Sequence, residues 1–265
     1  MMGRAMKLSL YQLDAFASRV FSGNPAAVCP LKDWLPEATM QAIAAENNLA
    51  ETAYFVGGDG KYAIRWFTPT VEAALCGHAT LASAAVVMTH MEPRRKSVSF
   101  STRRAGDLGV DREGDLYVLD FPVWPSAPAA APDGLELALG ARAAQVLAGS
   151  RDYLCVLGSA HAVKTLKPDF AALKRLDKPV IVTAPGEDCD FVSRFFAPSH
   201  GIDEDPVTGS AHCMLTPYWA GVLGKTKLKA RQLSVRGGEL QVELRGERVR
   251  IAGRVAPYLE GSIDV

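Results

Sequence analysis

An internal repeat constrains this chain more than any other feature. Tyr62-Ala-Ile-Arg-Trp-Phe-Thr-Pro69 reads like Phe191-Val-Ser-Arg-Phe-Phe-Ala-Pro198. Further on, Glu72, Gly77, Ala79 and Gly114 match Glu204, Gly209, Ala211 and Gly246. Arg104-Ala-Gly-Asp-Leu-Gly-Val110 matches Arg236-Gly-Gly-Glu-Leu-Gln-Val242. From Glu72 onward every match keeps one constant offset, the one that separates Gly77 from Gly209. The spacing from Gly77 to Arg104 therefore equals that from Gly209 to Arg236, and a single small change of offset falls between Pro69 and Glu72. Common strand patterns do not align by coincidence in such an ordered series. A repeat of this length predicts two similar halves, each a small sheet wrapped on an apolar helix. A length of 265 residues suits two cores better than one.

The local patterns are those of an α+β protein. Leu8–Phe16 alternates apolar and polar residues as a half-buried strand does. Ser22-Gly23-Asn24-Pro25 reads as a turn before a strand over Ala26–Cys29. Pro36–Asn47 reads as a helix with Met40, Ile43 and Ala44 on one face. Thr52–Val56, Ile64–Phe67, Val98–Ser101, Leu108–Val110 and Leu116–Phe121 read as strands, and Gly77–Met91 as a buried apolar helix. A second buried helix is expected near Ser210–Leu223. Pro125–Gly134, with three prolines and a glycine, holds neither helix nor ladder well. It divides the chain into a first half over 1–124, a linker over 125–134 and a second half over 135–265.

Charge and cysteine usage exclude several classes. Lys plus Arg and Asp plus Glu are both 29, so there is no basic excess for nucleic acid. The five cysteines form no CxxC pair, which favours reduced thiols over a disulfide framework. The least charged run, about Ala73–His90, is too polar and too short to span a membrane. No apolar segment of a signal peptide follows Arg4 and Lys7, and Met1, Met2 and Met6 are all possible starts. A cytoplasmic protein is expected. There is no GxGxxG, P-loop, HExxH or zinc spacing among His78, His90, His161, His200 and His212, so no cofactor and no metal are expected.

Each half places a glycine before its apolar helix, in Cys76-Gly77-His78-Ala79 and Thr208-Gly209-Ser210-Ala211. The first amides of a helix lack internal partners, and the helix dipole adds positive potential there. Glycine lets a ligand approach the backbone. Either motif alone reads as an ordinary cap; the duplicated pair points to a small anion such as a carboxylate. Asp203 and Glu204 read as compensation of the helix dipole. Asp205, held extended by Pro206, can project toward a ligand. Arg104 and Arg236 read as turn-stabilising.

With these segments in view, the chain resembles the PhzF-like phenazine-biosynthesis family, related in fold to diaminopimelate epimerase. The resemblance rests on Asp14-Ala-Phe16, Gly23-Asn-Pro25, Asn48-Leu-Ala-Glu-Thr52 and Leu75-Cys-Gly-His-Ala-Thr80. It continues through Arg194-Phe-Phe-Ala-Pro198, Glu204-Asp-Pro-Val-Thr-Gly-Ser-Ala211 and Arg231-Gln-Leu-Ser-Val-Arg-Gly-Gly238. It implies two pseudo-symmetric α+β halves, each a curled, mostly antiparallel sheet around a central helix, with the active site between them. It implies Glu51 as acid/base, His78 and Asp205 as its catalytic helpers, and Gly77, Gly209 and Ser210 as substrate-binding residues. It further implies cofactor-independent isomerisation of a small carboxylate-bearing metabolite and a homodimer. An isomerase needs a base near its operating pH, and a carboxyl held against Ala53-Tyr54-Phe55-Val56 would have its charged form disfavoured.

Departures from the wider fold group also speak. Two-thiol racemases oppose one cysteine from each half; here Cys76 has Thr208 as its counterpart, and a hydroxyl without an activating base is a poor proton acceptor. Cys76 by itself reads as a small buried hydrophobe. Ala74 stands where the family more often carries a polar residue. The alternatives are a racemase or epimerase using Glu51 and one other base, or a ligand-binding protein that kept the cleft without turnover.

Overall fold

A computed structural model describes residues 6–265. Two of the three candidate start methionines, Met1 and Met2, and Arg4 lie outside the described residues. Among the described residues no helix is long and apolar enough to cross a membrane. The chain divides into two compact units, Met1–Asp120 with Ala252–Val265, and Phe121–Ile251.

In the first part of the chain run β1 (Lys7–Ala15), β2 (Asn24–Leu31), α1 (Glu37–Asn47), β3 (Glu51–Gly58), β4 (Lys61–Phe67), β5 (Glu72–Ala73), α2 (Gly77–Val86), β6 (Ser97–Ser101), β7 (Asp107–Glu113) and β8 (Leu116–Pro122). There follow β9 (Ser126–Pro128), α3 (Leu135–Leu139), β10 (Gln145–Gly149), β11 (Tyr153–Val156), α4 (Ala160–Thr165), α5 (Phe170–Leu173), β12 (Val180–Pro185), β13 (Phe191–Ala197) and β14 (Ile202–Asp205). Last come α6 (His212–Leu223), β15 (Lys227–Gln232), β16 (Gly238–Arg245), β17 (Arg248–Gly253) and β18 (Val255–Asp264). The three short helices α3, α4 and α5 carry too few turns to leave a helical pattern, and sequence periodicity does not reveal them.

The strand ladders repeat as the sequence does. In the first unit β18–β1–β2 is antiparallel, β2–β3 parallel, β3–β4 antiparallel, β4–β6 parallel and β6–β7 antiparallel. In the second unit β9–β10–β11 is antiparallel, β11–β12 parallel, β12–β13 antiparallel, β13–β15 parallel and β15–β16 antiparallel. All residues of α2 are buried, and the helix packs on β1, β2, β3 and β7. Helix α6 packs on β15 and β16. Each unit is therefore a sheet around a central helix, an α+β architecture.

The domain boundaries differ from the sequence expectation in one instructive way. The stretch 125–134 is not a bare linker, because β9 pairs with β10. The segment Ala252–Val265 does not belong with 135–251: β18 pairs with β1 from Lys7↔Asp264 to Ala15↔Val255. The two strands are equivalent in the repeat, since Ser126 and Tyr258 stand at the same offset as Gly77 and Gly209. Each completes the first ladder of the other segment of chain.

The helix bounds also shift. The apolar run 77–91 is α-helical only to Val86 and continues as a π-turn over Val87–Met91, closed by Glu92 N donating to Val87 O at 2.7 Å. Arg112 Nη1 donates to the Met88 carbonyl at 3.3 Å, within that turn. Helix α6 begins at His212, later than the expected start near Ser210. Gly209 and Ser210 accept only short i→i+3 bonds, from His212 N and Cys213 N at 3.0 Å each. Inside α6, Pro217 has no N–H for the Cys213 carbonyl; Trp124 N fills that acceptor at 3.0 Å.

One charged pair recurs. Arg65 donates through Nε and Nη2 to both oxygens of Glu72, each at 2.7 Å. Arg194 does the same to Glu204, at 2.7 and 2.8 Å. In each ladder the glutamate stands opposite the phenylalanine two residues past its arginine, Phe67↔Glu72 and Phe196↔Glu204. The guanidinium carbons lie 5.0 Å from the Phe67 ring centroid and 4.9 Å from that of Phe196. Glu204 therefore serves a buried arginine rather than the helix dipole. Two hydrogen bonds in one plane, plus a ring face, are what a desolvated guanidinium needs.

Removing one partner leaves a buried charge, which costs about 3–5 kcal/mol. Glu204→Gln is expected to lower stability by that order in urea unfolding. Glu72→Gln should cost less, because Arg65 keeps Glu37 at 2.6 Å. The Arg65 guanidinium holds the Glu72 carboxyl below its usual range. That contribution is complete above the unfolded-state pKa and is lost as pH falls through the folded one. An acid titration should show it in the native protein and not in Glu72→Gln; identical acid curves would refute it.

Candidate active site

The first cluster is assembled by three turns. Helix α1 ends at Asn48, which takes the left-handed conformation at φ 48° and donates its N–H to Ala44 O at 3.2 Å. Asparagine tolerates that conformation better than most residues, so the helix stops and the chain reverses. Shortly after it Glu51 opens β3, in parallel register with Ala26. Asn47 Nδ2 donates to Thr52 Oγ1 at 3.0 Å, tying the helix end to the strand start on either side of Glu51.

The second turn joins β1 to β2. Gly23 has φ +70°, and a Cβ there would stand 2.3 Å from the Ala15 carbonyl oxygen, so only glycine fits. Buried Asp14 accepts from the Phe21 amide at 2.9 Å and shapes the same loop. Asn24 follows as the first residue of β2 and is fully buried.

The third turn enters α2. Cys76 is its extended N-cap, with Gly77 and His78 the first helical residues. The Cys76 carbonyl accepts from Thr80 N at 3.2 Å and Thr80 Oγ1 at 2.6 Å. Helix geometry leaves the amides of Gly77, His78 and Ala79 without intrahelical acceptors.

These turns converge on one imidazole. Asn24 Nδ2 lies 3.1 Å and Cys76 Sγ 3.4 Å from His78 Nδ1. His78 Nε2 lies 3.3 Å from Glu51 Oε2, with the two side chains only 7% and 13% exposed. An amide nitrogen only donates, so Nδ1 is the acceptor and the ring proton sits on Nε2, facing the carboxylate. That approach is at ion-pair distance but off the line of a hydrogen bond. Such contacts commonly tighten once substrate is bound.

Donor atoms of Glu51, Cys76 and His78 lie within 4.8 Å of one another, the set a metal ion would need. The thiol sits at one ring nitrogen and the carboxylate at the other, however. The lone pairs of the two nitrogens diverge, so an ion on either would leave one donor on the far side. The arrangement suits proton relay better than chelation.

The second cluster lies in the other unit, around the turn before α6. Thr208 Oγ1 donates a short hydrogen bond to Asp205 Oδ2. Thr208 N donates to Gln232 Oε1 at 2.9 Å, while Gln232 Nε2 donates to the Asp205 carbonyl at 2.7 Å. Ser234 Oγ donates to the Pro206 carbonyl at 2.7 Å. The loop 205–208 is thus laced to the end of β15. His212 Nδ1 donates to the Thr208 carbonyl at 2.9 Å, and complete burial pushes its pKa down to about 4, so it stays neutral. By the repeat, His212 occupies the place of Thr80 and Thr208 that of Cys76. In each unit the side chain one helical turn on captures the carbonyl ahead of the glycine. Gly209 and Ser210 form the turn itself, with Gly209 buried and Ser210 half-buried.

Of the expected site residues, Glu51, Gly77 and His78 come together in the first unit, and Asp205, Gly209 and Ser210 in the second. Asn24, Cys76, Thr208 and Gln232 are additions. Asn24 and Gln232 stood inside motifs already singled out, in Gly23-Asn-Pro25 and Arg231-Gln-Leu-Ser. Cys76 is not a passive apolar residue, because its sulfur abuts His78.

The family described as phenazine biosynthesis-like protein matches residues 13–261. An uncharacterized isomerase of Pseudomonas aeruginosa is 52% identical, over 98% of this chain and all of its own. A crystal structure of a PhzF-family phenazine biosynthesis protein from Enterococcus faecalis superposes with a TM-score of 0.95 at 45% identity, covering 98% of this chain and all of that one. The same fold is found in a Pseudomonas aeruginosa protein described as a predicted epimerase, with a TM-score of 0.70 at 22% identity over 97% of this chain and 99% of that one. The chain belongs to the PhzC–PhzF phenazine biosynthesis-like family.

Proposed function

We propose that this protein is a cofactor-independent isomerase that moves a proton on a small carboxylate-bearing metabolite, with Glu51 as the acid/base group. The observation that carries this reading is the buried approach of Glu51 Oε2 to His78 Nε2 at 3.3 Å, beside the start of α2. A carboxylate can take a proton from carbon only if it is held in place and screened from water. Here Asn48 and the Asn47–Thr52 bond do the holding, and burial does the screening. The Nε2–H of His78 offers a donor that stabilises the carboxylate before transfer and can reprotonate an intermediate after it. The name of the Pseudomonas relative and its high identity support the reaction class.

Each unit offers an anion-binding entrance of its own to a carboxylate, Gly77 at the start of α2 in one and the Gly209–Ser210 turn before α6 in the other. Unshared backbone amides and the dipole of α2 favour an anion. The turn at Gly209 has amides that make no α-helical bond and a hydroxyl at Ser210. Asp205, bonded to Thr208, is assigned the role of a helper that orients this turn.

Glu51→Gln keeps the shape but cannot accept a proton. Proton transfer, read as exchange of a substrate C–H with deuterated solvent, is expected to fall by about 100-fold or more. Full exchange in the variant would end the Glu51 assignment. Titration with sulfate, followed by amide NMR shifts, should move Gly77 or the Gly209–Ser210 amides first. Shifts confined to other residues would show that neither entrance is the anion site.

A further inference from the structure

Cys76 is the one cysteine set against an imidazole. Cys29, Cys155 and Cys213 are buried, and burial pushes each thiol up to about 12. Cys189 is half-buried beside Asp188, and its pKa is raised, chiefly by desolvation. Cys76 is also buried, yet its sulfur lies 3.4 Å from His78 Nδ1, while Glu51 stands 3.3 Å from the opposite nitrogen. A nucleophile, a base and a carboxylate that steadies the base, in that order, is the arrangement that activates a thiol.

We propose that Cys76, His78 and Glu51 form a thiol–imidazole–carboxylate relay in which His78 takes the Cys76 proton, making Cys76 a second proton-transferring group beside Glu51. The proposal rests on the isomerase reading above and adds a residue to it. The proton count closes without a co-reactant. The S–H bond breaks, its proton joins Nδ1, and its electron pair stays on sulfur. The products are a thiolate and an imidazolium whose Nε2–H faces Glu51. Glu51 and the thiolate are then two groups that can accept a proton from substrate carbon; when the thiolate does so the thiol is restored, and the imidazolium proton is available for return to a different carbon. Nothing is oxidised or reduced.

Asn24 fits both states of the ring. Its amide nitrogen serves an unprotonated Nδ1, and its oxygen can serve a protonated one, because a carboxamide carries a donor and an acceptor at the same reach. Cys76 meets His78 on its own helix and stands close to Glu51 from β3, while neutral Asn24 from β2 meets the imidazole. Once it carries the proton, the imidazolium favours the thiolate, while the Glu51 carboxylate opposes it.

The test needs no substrate. Thiolate absorbance in the ultraviolet, taken as native protein minus Cys76→Ser, is followed against pH. Midpoint rather than rate is read, because access to a buried sulfur alters labelling rates but not this difference spectrum. A midpoint at least about one unit below that of an ordinary thiol, near 8.5, is expected. His78→Asn should move it to about 8.5 or above. Iodoacetamide labelling resolved by peptide mass should show the same pH dependence at Cys76 in the native chain, which guards against a variant that fails to fold. A native midpoint at or above the ordinary value would overturn the relay and leave the Glu51 assignment standing. Full solvent exchange in Glu51→Gln would do the reverse.

Discussion

Each unit depends on one buried, two-pronged arginine–glutamate pair. Arg65–Glu72 and Arg194–Glu204 bind a long strand to the short strand that leads toward the central helix. A guanidinium taken out of water must find a planar acceptor and have its remaining donors met. Arg194 does so with the Val163 and Leu166 carbonyls, and Arg65 with Glu37. These demands set the path of the chain over the following residues, and those residues carry Cys76–His78 in one unit and Asp205–Ser210 in the other. The catalytic chemistry proposed here is therefore positioned by electrostatic requirements that lie outside it.

Downstream of that pair the two units solve one problem in different ways. The residue ahead of each glycine has a carbonyl that a side chain one turn later captures, Thr80 in one case and His212 in the other. In the first unit this leaves a regular α-helical start, with Cys76 extended and its thiol turned to His78. In the second, Thr208 is drawn into bonds with Asp205 and Gln232, and the turn tightens before α6 begins. Duplicated scaffolds can diverge in this manner because backbone demands are shared while side chains are free to change. The Cys76–Thr208 difference is the sequence trace of that divergence.

Much of this was legible in the amino-acid order. The constant offset between matched residues announced a duplicated α+β fold, and the ladder order repeats accordingly. The family resemblance carried by Asn48-Leu-Ala-Glu-Thr52 pointed to Glu51, and the buried helix behind Gly77 followed from an unbroken apolar run. Where a residue's role depends on its neighbours in sequence, as with Gly23 in the Ser22-Gly23-Asn24-Pro25 turn, the pattern alone suffices.

Other features were decided only in three dimensions. No periodicity tells that Glu204 answers Arg194, that β18 pairs with β1, or that Trp124 supplies the hydrogen bond Pro217 cannot. Cys76 read as an inert apolar residue because its activating partner bonds through a ring nitrogen whose direction sequence does not specify. By itself the sequence determined the repeat, the fold class and the residues at the two helix entrances, since these follow from local spacing and apolar pattern. Which of those residues meet, and through which atoms, was left to the tertiary structure, because a 3.3 or 3.4 Å contact depends on strand register and side-chain direction set by residues far away along the chain.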